Sequence, residues 1–176
     1  MEYAMKKISF FRQWFVFLMI TGFSQSVFAQ TSFADRCVGE WTGTLDIYAG
    51  GVRRDQVPVV FTVTKLNDST WTWKTDYRSE TRPVIKDYLL RKQTKEPNRY
   101  IIDEGGGIQL TMDVIDRVGT SVFRTGGMTF VSRNEVTDQV FQMELSVYKD
   151  KNPASSEDVL SMPAISVQTM RLIKKP

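Results

Sequence analysis

The chain has 176 residues, with 23 Lys and Arg against 20 Asp and Glu, a single Cys and no His. Without His there is no Ser-His-Asp or Cys-His catalysis, no His-ligated haem and almost no route to catalytic zinc, and one Cys rules out internal disulfides and CxxC chemistry. If residues 1–29 are removed, Lys6, Lys7, Arg12 and Glu2 go with them, and the remaining 147 residues carry a net charge of only +1; that suffices for one domain with a single core and lacks the positive excess of a non-specific nucleic-acid binder.

The N-terminal segment reads as an export signal. Lys6, Lys7 and Arg12 form a basic region, Trp14 through Ile20 with Phe23 form a short apolar run, and Val27-Phe28-Ala29 supplies a cleavage site that leaves Gln30 as the new N-terminus. A spanning helix needs roughly 20 predominantly apolar residues, and this run ends sooner, at Ser24, Gln25 and Ser26. The expected product is periplasmic or secreted, with no stable membrane span after cleavage. The segment Ala34-Asp35-Arg36-Cys37 lacks the apolar and small residues of a lipoprotein signal, and Cys37 reads first as a buried small hydrophobe.

Residues 30–36 form an N-terminal segment whose best helix candidate is Ser32 to Arg36, with Phe33 and Cys37 spaced to plug one end of a barrel. The barrel domain is expected over Cys37 to Pro176, and from Val38 onward a period of two dominates. Trp41, Gly43, Leu45 and Ile47 share one face; Ala49-Gly50-Gly51 is a turn; Val57, Val59, Phe61 and Val63 share a face before a turn at Asn67-Asp68; and Trp71, Trp73, Thr75 and Tyr77 do so again. Further strands are predicted at Val84–Lys92, Arg99–Asp103, Ile108–Val114, Val118–Arg124, Met128–Arg133, Gln139–Tyr148 and Ile165–Lys174. Gly105-Gly106-Gly107 marks a tight hairpin, and Asp150 to Pro163 is the one long connection. The expected fold is all-β, a single antiparallel up-and-down barrel of about 8–10 strands, because closure removes the exposed edges that endanger an exported sheet.

Gly39-Glu40-Trp41 at the start of the first strand resembles the Gly-x-Trp opening of lipocalins and the wider calycin superfamily. In the last strand, Thr169-Met170-Arg171-Leu172 puts an Arg where such barrels often stack one over that Trp, and Ile165, Val167, Thr169, Arg171 and Ile173 share a face. The pattern is similar to secreted bacterial lipocalin-like proteins. The resemblance makes Gly39, Trp41 and Arg171 the structural signature, and implies an interior for a small ligand. Nitrobindin-like barrels hold haem through a His that is missing here. Fatty-acid-binding relatives use Arg-x-Tyr in the last strand, where this chain has Arg171-Leu172-Ile173.

The expected function is non-enzymatic binding of a small hydrophobic or amphipathic molecule inside the barrel. Trp71, Trp73, Tyr77 and Arg171 are the named contacts, and no cofactor, metal or catalytic residue is expected. The alternative is an envelope interaction or structural module with a filled barrel. A third reading is a hydrolase or isomerase using carboxylates and tyrosines, for which Asp103 and Glu104 would have to lie inside the barrel near Tyr77 or Tyr100. Adjacent acids beside a glycine turn otherwise read as a solvated hairpin.

Overall fold

The structure, a computed structural model, describes residues 31–149 and 161–176. The expected signal peptide and most of the Asp150–Pro163 connection lie outside the described residues. Among the described residues a short helix, α1 (Phe33–Cys37), precedes eleven strands: β1 (Gly39–Ala49), β2 (Val52–Val63), β3 (Lys65–Asn67), β4 (Thr70–Tyr77), β5 (Val84–Lys92), β6 (Arg99–Gly105), β7 (Ile108–Ile115), β8 (Val118–Thr125), β9 (Met128–Val136), β10 (Val140–Lys149) and β11 (Ala164–Lys174). Each pairs antiparallel with its neighbours, β11 returns to β1, and β2 pairs with β4 from Val59↔Tyr77 to Thr62↔Lys74. The result is a closed ten-stranded up-and-down barrel, with β3 as an extra strand that continues β2 along β4. Among the described residues no helix is long and apolar enough to cross a membrane.

The expected alternation sets the core. Trp41, Leu45, Val57, Val59, Phe61, Val63, Trp71, Trp73, Met112, Val114 and Phe141 are all buried on the inner face. Two-residue turns keep the strands tight. Ala49 pairs with Val52 around Gly50-Gly51 and Thr125 with Met128 around Gly126-Gly127, and all four glycines have positive φ, as the primed hairpin turns require.

β11 departs from the expectation. Its inner face is Gln168, Met170, Leu172 and Lys174, so Ile165, Val167, Thr169, Arg171 and Ile173 point outward. The strand is apolar on both faces, and its own alternation does not fix its orientation. The ladders do. Met170 lies opposite Met143 and Leu45, and Leu172 opposite Phe141 and Gly43, while Ile173 is left 43% exposed. A Cβ on Gly43 would come 2.1 Å from the carbonyl oxygen of Arg171, so β1 approaches β11 more closely than any side chain at that position permits.

The two barrel ends differ. α1 sits at the end that holds the start of β1 and the finish of β11. Ser32 caps it, its Oγ accepting from the Asp35 N–H at 3.2 Å, so the helix starts one residue later than predicted. Five residues do not hold a helix in water; burial of Phe33, Ala34 and Cys37 supplies the stability. The Phe33 ring lies 6.4 Å from Trp73 and 6.3 Å from Tyr100, completing the plug. Burial pushes the Cys37 thiol well above its ordinary pKa, which keeps it neutral and unreactive.

Candidate functional site

The opposite end carries the glycine hairpins, and below them lies a cavity of about 140 Å³. Its floor is aromatic. Phe61 and Trp73 meet edge to face at 4.7 Å, Phe141 packs on Phe61 at 4.7 Å and on Trp73 at 5.9 Å, and all three line the void. These rings separate the cavity from the packed layer of Trp41, Trp71, Leu90 and Leu172 at the plugged end.

One wall is polar. β8 and β9 place Ser121 opposite Ser132, and Asn134 one inward step deeper, opposite Gly119. Ser121 is 3% exposed, and its Oγ has no hydrogen-bond partner among the described residues. Asn134 is also buried, and its amide donates to Ser132 Oγ at 3.3 Å and to the Met112 sulfur at 3.9 Å. The barrel wall is looser here, since the β7–β8 ladder runs only from Ile115↔Val118 to Asp113↔Thr120. Ser121 comes directly after the last pair, and Leu110 and Phe123 flank the parting strands inside the cavity.

Charge appears toward the mouth, where Lys86 and Glu104 are the charged groups among the described lining residues. The Lys86 ammonium lies 5.7 Å from the Tyr88 ring centroid. Burial raises the Tyr88 pKa, and the charge and hydrogen bond of Glu104 raise it further, to about 12. Tyr88 is therefore a phenol at physiological pH that donates to the Glu104 carboxylate. Burial likewise raises the pKa of Tyr77, against a hydrogen bond with Thr75 that lowers it.

The residues singled out from the sequence separate into three groups. Trp73 and Tyr77 line the cavity. Trp71 does not: it is 1% exposed beneath α1, and its indole N–H donates to Asp35 Oδ1 at 3.1 Å. Arg171 points away from the interior, exposed on the outer face of β11, and is placed neither to meet a ligand in the cavity nor to stack on Trp41. Lys174 occupies the stacking position instead, its ammonium 5.0 Å from the Trp41 ring centroid, while the Trp41 indole N–H donates to the Cys37 carbonyl at 2.7 Å. At the rim of the plugged end a lysine stem can lie along the indole and still leave its charge at the surface. The two acids also part company. Asp103 pairs outward with Arg91 at 3.0 Å, whereas Glu104 turns inward, beside Tyr88 rather than Tyr77 or Tyr100.

No family model matches the chain, and no curated protein matches it in sequence. Solved structures do match in fold. The S-type phycobiliprotein lyase CPES from Guillardia theta superposes with a TM-score of 0.62 at 8% identity, over 82% of this chain and 91% of that one. A protein of unknown function from the DUF3598 family of Nostoc punctiforme gives 0.57 at 11% identity, over 80% of this chain and 48% of that one. What the chain shares with them is the fold, a closed antiparallel β-barrel. At such identities the likeness concerns the path of the chain, and no residue role passes with it.

Proposed function

We propose that this calycin-like barrel is an exported, non-enzymatic protein that holds a small amphipathic molecule in its interior. The observation that carries this reading is the cavity itself, with an aromatic floor, one neutral polar wall and charge only toward the mouth. Such a composition suits an apolar body with a few directed polar contacts. Its volume is about that of an engineered apolar cavity, roughly 150 Å³, that admits benzene, so the enclosed part takes about one ring and anything longer extends through the mouth. The same void weighs against a filled barrel acting only as a structural module.

One structural neighbour is named a lyase, which keeps a catalytic reading in view, and Glu104 inside the barrel is the observation that favours it. Glycosidase-type hydrolysis uses two carboxylates, and Glu104 is the one carboxylate among the described lining residues. Its partner Tyr88, with a pKa of about 12, is a hydrogen-bond donor and a poor base. Binding fits this arrangement better than proton transfer.

The test is titration of the protein with acetophenone, read by tryptophan fluorescence. Saturable quenching is expected, and Trp73→Ala should weaken binding about ten-fold or more, while Lys74→Ala, on the exposed outer face of the same strand, leaves it unchanged. Absence of saturation, or equal loss in both variants, would count against a ligand cavity. Export has its own measurement: the expressed protein should be recovered outside the cytoplasm with an intact mass lacking residues 1–29, and retention of the full-length mass in the cytoplasm would contradict it.

A further inference from the structure

We infer that the ligand carries an uncharged hydrogen-bonding group, a carbonyl or a hydroxyl, and that it docks on the wall formed by Ser121, Ser132 and Asn134. This deepens the binding function proposed above and rests on it. Ser121 has a buried hydroxyl with no partner among the described residues, facing the cavity. A buried polar atom is nearly always satisfied, and one left open beside a void is explained most simply by a partner that occupies the void. Across the ladder stands Ser132, and next to it Asn134, whose amide makes one ordinary hydrogen bond and one weak contact to sulfur. Together they offer hydroxyl and amide N–H donors to one small acceptor, or hydroxyl oxygens to one donor.

The described residues around this wall are uncharged, and that selects the group. Lys86 and Glu104 lie toward the mouth, and Arg171, which would have anchored a carboxylate, is on the outside. An ionised group against the Ser121 wall would be desolvated with no counter-charge, whereas a neutral carbonyl gains a hydrogen bond there. The aromatic floor of Phe61, Trp73 and Phe141 lines the same cavity and can receive a flat apolar body.

Acetophenone and α-methylstyrene share a shape and differ in C=O against C=CH₂, so the change in their affinity ratio on mutation cancels their different hydrophobicity. In Ser121→Ala, acetophenone should weaken about five- to ten-fold, the worth of one buried neutral hydrogen bond, and α-methylstyrene should stay within about two-fold. Ser132→Ala should lower the same ratio. Because the Ser121 hydroxyl has no partner to lose, Ser121→Ala should melt no lower than the wild type, which keeps the variant informative. If both probes bind and Ser121→Ala leaves their ratio unchanged, as a resident water on the hydroxyl would produce, the docking wall is wrong while the ligand cavity stands. If neither probe binds the wild type, the cavity reading fails and this inference falls with it.

Discussion

At the scale of single residues, the junction of the first and last strands gives the sharpest expectations. Trp41 is fully buried and donates to Cys37, so Trp41→Ala should cost about 3–5 kcal/mol in denaturant unfolding. Lys174→Ala should cost about 1 kcal/mol through the lost ring contact, and the double variant less than the sum, since the partners share one interaction. Arg171→Ala on the outer face should stay within about 0.5 kcal/mol. A large loss at Arg171 with none at Lys174 would reverse the orientation of β11. Gly43→Ala should destabilise by about 3 kcal/mol, because the added methyl meets backbone that cannot rotate aside. The Gly-x-Trp opening was legible in the sequence and its cationic partner was not. Arg171 and Lys174 have opposite parity, and only the pairing of Met170 with Leu45 and Met143 decides which of them faces inward.

At the scale of elements, α1 is held by side chains rather than by its own length. Asp35 links three segments: its carboxylate accepts from Ser32 and from the Trp71 indole, and lies 3.2 Å from the Lys65 ammonium. Burial alone would raise its pKa, but the hydrogen bonds from Ser32, Lys65 and Trp71 outweigh that and hold it below the usual carboxylate range. A folded pKa below the unfolded value means that Asp35 stabilises the protein above about pH 4 and that this contribution is lost as the pH falls through the folded value. Asp35→Asn should therefore flatten the dependence of unfolding free energy on pH below about 4 while leaving the barrel folded. A steeper acid loss in the variant would contradict the role. Most strands were legible to within one or two residues, because alternation and turn chemistry agree along β1, β4, β7 and β10, but β3 was not anticipated, β2 begins at Val52, ahead of the expected Val57–Val63 face, and β9 runs to Val136, three residues past the expected Arg133. β8 misleads: its β-branched residues Val118, Thr120 and Val122 take one face and Gly119, Ser121 and Phe123 the other, and the polar-looking face is the inner one, with Val122 left 65% exposed. Hydrophobic pattern therefore hid the cavity wall that Ser121 forms.

At the scale of the whole molecule, closure was legible and volume was not. Ten strands joined by short turns with no tolerable edge argue for a barrel from the sequence alone, whereas the size of its interior depends on how every inward side chain meets those opposite. Small residues at Ser121 and Ser132 line the cavity together with the aromatic floor, and their short side chains leave it open. The same contrast explains why Trp71 and Trp73, two residues apart on one face, differ in role: one lies in the layer sealed by α1 and the other at the floor of the void. The most direct measurement is methyl NMR of the protein titrated with acetophenone. The Met143, Met170 and Leu145 methyls, which line the cavity, should shift saturably and show contacts to the probe, while Ile115 and Val122 on the outer face stay unchanged. Cavity methyls that do not respond at saturating probe, or shifts confined to the outer face, would contradict an interior binding site.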